Sequence, residues 1–118
     1  MFKSIYYYID KFNRDEIYKL NKTINIIYRN YSNRFNKKEI LELVTFCKNQ
    51  RRKVYISNNL KVALRFNFDG VYIPSFAKTL NYKNIPKKNL EIIGSAHNIK
   101  EVINKEYQGC TKIFLSPI

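Results

Sequence analysis

Several polar residues in this sequence stand directly after short apolar runs and have side chains suited to anion binding. Arg29 supplies a guanidinium, Asn58 an amide and Ser95 a hydroxyl, whereas Asp10 is the carboxylate of the set. A guanidinium fork, together with backbone N–H groups at helix starts, is well suited to a phosphate or another anion. The residues that end or closely follow the apolar runs are, in full, Asp10, Arg29, Ser57, Asn58, Asn59, Gly94, Ser95, His97 and Ser116.

A structural explanation exists for each of these residues. Arg29 fits an ordinary solvated position, Asn58 and Asn59 fit helix capping, and Ser95 fits a turn. His97 is the only histidine. The sequence therefore does not support a histidine pair or a Ser/His/Asp constellation.

Six short apolar runs recur at intervals near twenty residues, which predicts the elements that must position these side chains. Most of the runs are β-branched or aromatic and nearly continuous, as is typical of parallel strands covered on both faces. The predicted strands are 5–9, 24–28, 54–56, 71–73, 90–93 and 113–115.

Helical patterns lie between several of the strands. Asn13, Asn36 and Asn98 are each followed three residues later by glutamate, which predicts capped helix starts. Gly109 is expected to end the last helix in a left-handed conformation. Another helix is predicted from residue 59 or 60 to about 66, and residues 75–89 are expected to hold a short helix or a loop.

Alternating strands and helices predict an α/β fold with right-handed crossovers. Such crossovers build either a doubly wound sheet or the wall of a barrel. In both architectures ligands bind at the carboxyl ends of the strands. The polar residues that follow the strands are therefore expected to share one edge.

The 118 residues allow a single domain, 1–118, with a formal net charge of +13. Lysines are spread along the chain, a distribution that does not favour nucleic-acid binding, which depends on clustered cations. Neither a membrane span nor a signal peptide is indicated, so a cytoplasmic protein is expected. Cys47 and Cys110 are expected to be reduced and packed in or near the core.

The order and spacing of four segments resemble the thiamine phosphate synthase and TenI family. The segments read SNNLKVAL at 57–64, DGVYI at 69–73, IIGSAHN at 92–98 and FLSPI at 114–118. Arg29 falls where the family has the arginine of its L-R-x-K motif. The resemblance covers nearly the whole chain.

The resemblance implies a TIM-barrel enzyme of thiamine biosynthesis. In this family a transferase joins a thiazole phosphate to a pyrimidine and releases pyrophosphate with the help of Mg²⁺. By the same resemblance, Arg29 would hold pyrophosphate, Asn58 would stand near the metal, and Ser95 would contact a phosphorylated ligand.

Several family features are missing from the sequence. Asn58 replaces the magnesium aspartate, Tyr31 replaces the lysine of L-R-x-K, and the second metal carboxylate has no counterpart between residues 71 and 90. The segments of the last two strands would follow residue 118. We therefore expect an incomplete (β/α) barrel of about six strands that binds phosphorylated thiazole or pyrimidine ligands without a metal site or full catalysis. Its open edge is expected to allow a homo-oligomer.

Two alternatives remain at the level of sequence. A thiazole tautomerase of the TenI type would need only His97 as a proton carrier, a role that the histidine pKa range suits. A noncatalytic basic α/β module would bind a phosphorylated ligand or nucleic acid.

Overall fold

The computed structural model describes residues 5–30, 36–77 and 89–115, which form a curled half-barrel of six parallel strands with interspersed helices. This architecture confirms the predicted incomplete α/β barrel. Tyr31, Ser116 and most of the segment 75–89 lie outside the described residues.

The strands follow one another in the sheet in the order of the sequence, β1-β2-β3-β4-β5-β6. Each pairs in parallel with the next, as in a barrel wall rather than a doubly wound sheet. Their bounds are β1 (Ile5–Ile9), β2 (Ile24–Tyr28), β3 (Val54–Ser57), β4 (Gly70–Ile73), β5 (Glu91–Ala96) and β6 (Lys112–Leu115). All six strand predictions are confirmed to within a few residues.

Four helices are described, and an asparagine side chain caps the start of each. Asn13, Asn36, Asn59 and Asn98 each accept a hydrogen bond from the backbone N–H three residues later. Gly109 ends the last helix with φ 100°, as the sequence predicts. The helices are α1 (Arg14–Tyr18), α2 (Lys37–Asn49), α3 (Leu60–Arg65) and α4 (Ile99–Gln108). Among the described residues no helix has the length and apolar character needed to span a membrane.

The two faces of the sheet bury different sets of side chains. On the convex face, aliphatic residues of the strands pack against the helices, with Ile26 of β2 and Leu43 of α2 fully buried. The concave face carries a second cluster formed only by strand residues: Tyr6, Ile27, Tyr55, Tyr72, Ile93 and Phe114. Alternation along each strand separates the two sets. β1 and β6, at the edges, are covered less completely than the sequence predicts.

The concave side chains show how strongly the sheet curls. Neighbouring strands lie about 4.8 Å apart, so a flat sheet would separate β1 from β6 by roughly 24 Å. The rings of Tyr6 on β1 and Phe114 on β6 nevertheless have centroids 4.8 Å apart. The aromatic rings of the edge strands therefore meet across the interior.

Two glycines are required by close packing within the sheet. A Cβ on Gly70 would lie 2.2 Å from the carbonyl oxygen of Glu91 and 2.8 Å from the Tyr55 ring. A Cβ on Gly94 would lie 2.8 Å from Cys110 Sγ. Packing alone thus accounts for the glycines of the two segments that carry the family resemblance.

Candidate functional site

The candidate site lies on the concave face at the carboxyl ends of the strands, and we call it the rim. Arg29 directly follows β2, Tyr8 is the second-last residue of β1, and Ser95 is the second-last residue of β5. Tyr72 of β4 lies between Tyr8 and Ser95. The fold thus brings two of the sequence-predicted ligand-binding residues, Arg29 and Ser95, into one connected group.

Arg29 is held by an aromatic ring. Its guanidinium carbon lies 4.3 Å from the centroid of the Tyr8 ring, within the range of a cation–π contact. The side chain is exposed, and among the described residues no carboxylate forms a salt bridge with it. A planar guanidinium stacked by its face keeps its N–H edge available for a bidentate acceptor such as phosphate.

Three hydroxyl groups form a chain beside Arg29. The Tyr8 hydroxyl donates to the Tyr72 hydroxyl at 3.2 Å, and the Tyr72 hydroxyl lies 2.8 Å from Ser95 Oγ. Tyr72 is 4% exposed, and Phe114 stacks on its ring at 6.4 Å. The buried hydroxyls are thus mutually satisfied, and the Tyr72 ring is fixed from two sides.

Asn58 occupies the loop after β3 in a left-handed conformation, with φ 50°. Its backbone N–H donates to the carbonyl oxygen of Tyr72 at 2.8 Å, which extends the pairing of β3 with β4. The capping role belongs to Asn59, whose Oδ1 accepts from the Val62 N–H. Asn58 therefore lies at the carboxyl end of the sheet as predicted, and it is exposed.

His97 lies just beyond β5 and contacts the first turn of α4. Its Nδ1 is 3.4 Å from Glu101 Oε1, and the same oxygen accepts a hydrogen bond from the His97 backbone N–H at 2.7 Å. Among the described residues, no hydrogen bond or ion pair joins His97 to the hydroxyl chain. The structure thus groups Arg29 with Ser95 and places His97 beside this group.

The amino end of the concave face carries a neutralised pair of charges instead of an unpaired cation. Lys53 Nζ lies 2.7 Å from Glu91 Oε1, and the buried Tyr55 hydroxyl donates to the other carboxylate oxygen. Burial alone would raise the pKa of Glu91, but the hydrogen bonds from Lys53 and Tyr55 hold it below its ordinary value. A carboxylate neutralises the lysine at the amino end, so the rim is the end of the concave face that is better suited to an anion.

Aromatic and aliphatic side chains fill the interior of the half-barrel. Ile27, Tyr55 and Ile93 are fully buried there, so a ligand would bind above them at the rim. A separate open groove of about 750 Å³ lies between the start of α1 and α2. Its lining consists of Phe12, Arg14, Leu41, Glu42, Thr45, Phe46 and Asn49.

The rim does not provide the ligands that a magnesium ion requires. Mg²⁺ prefers carboxylate oxygens in octahedral geometry, whereas the connected rim group presents a guanidinium and hydroxyls, and Asp10 is the one carboxylate among the residues that directly follow the described strands. Within the described ranges no three His, Cys, Asp or Glu side chains come together in a way that could hold a metal. The residues present therefore do not fit the magnesium ion of the family that the sequence resembles.

Sequence reasoning missed Tyr8 and Tyr72. Both residues fall within predicted strands, Tyr8 in 5–9 and Tyr72 in 71–73, where the sequence pattern indicates core positions. The alternation of strand side chains carries a usable signal, because Tyr6 and Tyr8 must share a face. The contact between strands one and four could not be derived, since it depends on the curl of the sheet.

Comparisons with known proteins do not assign the chain to a family. No protein-family model matches it, and no curated protein matches it with significance.

Proposed function

We propose that the protein binds a phosphorylated small molecule at the rim and is a diverged member of the thiamine phosphate synthase and TenI family. The observation that carries this proposal is the Arg29 guanidinium, stacked on Tyr8 and paired with no carboxylate among the described residues. The hydroxyl chain that ends at Ser95 supplies a neutral donor at the same end of the sheet.

The chemistry of the rim supports phosphate over other anions. A phosphate monoester offers three oxygens, of which two can face the guanidinium fork while the third accepts from a hydroxyl. The fold supports the same position, because barrel proteins bind ligands at the carboxyl ends of their strands. The proposed ligands are phosphorylated thiazole or pyrimidine compounds of thiamine biosynthesis.

Ligand binding, rather than pyrophosphate displacement, is the proposed activity. A multiply charged leaving group requires several cations or a metal in the transition state. Among the described rim residues, Arg29 is the cation in contact with the site, and Asn58 provides no charge. The two free cysteines fit a reducing compartment, so we place this function in the cytoplasm.

A thermal-shift comparison tests the proposal. Thiazole phosphate and thiamine phosphate at millimolar concentration should raise the melting temperature, because a ligand that binds only the folded state stabilises it. The unphosphorylated alcohols serve as matched controls and should give a much smaller shift. Equal shifts for the phosphorylated and unphosphorylated compounds, or none at all, would reject phosphate recognition.

A thiazole tautomerase activity is the alternative proposal, favoured by the position of His97 beside β5. The carboxylate of Glu101 fixes the imidazole from one side, a contact that can orient a proton carrier. Isomerisation of a thiazole carboxylate phosphate should then fall at least a hundredfold in His97→Ala, the scale of general acid–base catalysis. Unchanged turnover in that variant would exclude this activity for His97.

A further inference from the structure

The hydroxyl chain at the rim has a feature that phosphate binding by Arg29 alone does not require. Tyr8 donates to Tyr72, and either oxygen of the Tyr72–Ser95 pair can be the donor of their hydrogen bond. When Tyr72 donates its one hydrogen to Ser95 Oγ, Ser95 keeps its own hydrogen for a further acceptor. In this arrangement the chain runs in one direction, from Arg29 and Tyr8 towards Ser95.

The charge of Arg29 favours this direction. The guanidinium lies over the Tyr8 ring, where it draws electron density from the ring and makes the phenol a stronger donor. Successive hydrogen bonds polarise one another, most strongly in a buried environment. Tyr72 and Ser95 are 4% and 9% exposed, so their contact is largely shielded from solvent.

Packing holds Tyr72 at the centre of this chain. The Tyr8 ring meets the Tyr72 ring edge-on at 5.5 Å, and Phe114 stacks on it from β6. Three strands therefore fix the position of one hydroxyl.

We propose that Tyr72 is a positioning residue that couples Arg29 and Tyr8 to Ser95, so that the Ser95 hydroxyl donates to an oxygen of a phosphoryl group bound at the rim. This inference rests on the proposed function. Tyr72 acts through Ser95, and its own hydroxyl does not contact the ligand.

The test is a double-mutant cycle with inorganic pyrophosphate as the probe, measured by calorimetry. Tyr72→Phe keeps the ring and removes the hydroxyl, and it should raise the Kd about tenfold, which corresponds to about 1.4 kcal/mol. Ser95→Ala should raise the Kd by a similar factor. In the Ser95→Ala background the Tyr72→Phe change should have no further effect, because residues that act as one unit are not additive.

Two further variants keep the test decisive. Tyr55→Phe removes a buried hydroxyl from the same concave face, but its partner is Glu91 at the amino end, so pyrophosphate affinity should stay unchanged. Tyr8→Phe removes the first donor of the chain and should weaken binding even if Tyr72→Phe does not fold.

The outcomes separate this inference from the proposed function. Wild-type affinity in both Tyr72→Phe and Tyr8→Phe, or full additivity with Ser95→Ala, overturns the coupling while phosphate binding stands. A wild-type protein that does not bind pyrophosphate or the phosphorylated thiazole overturns both proposals.

Discussion

Arg29 and Arg52 show that the same type of side chain has different roles at exposed and buried positions. Arg29 is exposed and stacked on a ring, whereas Arg52 is 2% exposed and surrounded by backbone carbonyl groups. The Arg52 guanidinium donates to the carbonyl oxygens of Ile17, Leu20, Asn21 and Ile24, at 2.6 to 3.3 Å. Arg52 therefore connects the end of α1 and the start of β2 to the loop before β3.

Replacement of Arg52 should destabilise the protein strongly. Arg52→Met keeps much of the side-chain volume but leaves several buried carbonyl groups without a donor, each at a cost of about 1–3 kcal/mol. We expect the free energy of unfolding in urea to fall by about 3 kcal/mol or more. The neighbouring exposed Arg51 provides the control, since Arg51→Met should change the free energy of unfolding by less than about 0.5 kcal/mol. Equal effects of the two substitutions would contradict this structural role of Arg52.

Tyr28 should make the free energy of unfolding fall as the pH rises through the alkaline range. Burial, and then the hydrogen bond with Glu39, raises the pKa of Tyr28 from 10.0 to about 12. The folded protein holds this proton more tightly than the unfolded chain, so the stabilisation is fully present below pH 10. It should be lost progressively between about pH 10 and 12.

The Tyr28 contribution is measured by urea unfolding at several pH values between 9 and 12. Tyr28→Phe should lose less stability over this range than the wild type does. Tyr18→Phe is the control, because Tyr18 is exposed, and this variant should follow the wild type. A Tyr28→Phe protein with the wild-type pH dependence would show that the Tyr28 proton is not linked to folding.

At the scale of elements, the sequence predicted helix starts better than it predicted the roles of individual loop residues. Asn13, Asn36 and Asn98 have a local signal, because the hydrogen bond of a cap spans only three residues. No such local signal shows that Asn59 and not Asn58 caps the helix, since the left-handed conformation of Asn58 depends on its contact with β4.

Gly70 should tolerate substitution poorly, because β4 and β5 approach each other closely at this position. Gly70→Ala places a Cβ against the β5 backbone, so β4 and β5 must move apart, and we expect a loss of about 3 kcal/mol or more. Gly109→Ala introduces only a left-handed alanine at a helix end, with an expected cost of about 1 kcal/mol. Chemical denaturation of both variants makes the comparison. A Gly70→Ala protein at least as stable as Gly109→Ala would contradict the close approach of β4 and β5.

At the scale of the whole molecule, the apolar runs predicted the number and direction of the strands, whereas the curl of the sheet was predicted only from the family resemblance. Apolar runs in the sequence predict the strands and their order along the chain, but the contact of Tyr6 with Phe114 forms only when the sheet bends. The same bend brings Tyr8 to Tyr72 and so connects Arg29 with Ser95. The rim is therefore a property of the curled sheet, which no local pattern encodes.

The edges of the half-barrel suggest self-association, which we propose as a second whole-molecule property. Within the described residues β1 and β6 each pair on one side only, and they expose Ile5 by 52% and Leu115 by 67%. Unpaired edge strands with apolar side chains favour pairing with another chain. Sedimentation velocity should show a concentration-dependent dimer that Ile5→Lys weakens, with Ile103→Lys on α4 as the control. A strictly monomeric wild type at all concentrations would exclude an edge-mediated dimer.

Calorimetric titration with thiazole phosphate directly tests the proposal that Arg29 binds a phosphoryl group at the rim. Arg29→Met should weaken binding at least tenfold, since hydrogen bonds to charged groups contribute about 1.5–3 kcal/mol. Arg65→Met is the matched control, because Arg65 also stacks on an aromatic ring, Phe66, and its loss changes the net charge equally. We expect Arg65→Met to bind thiazole phosphate like the wild type. Equal affinities of the wild type, Arg29→Met and Arg65→Met would contradict the proposal.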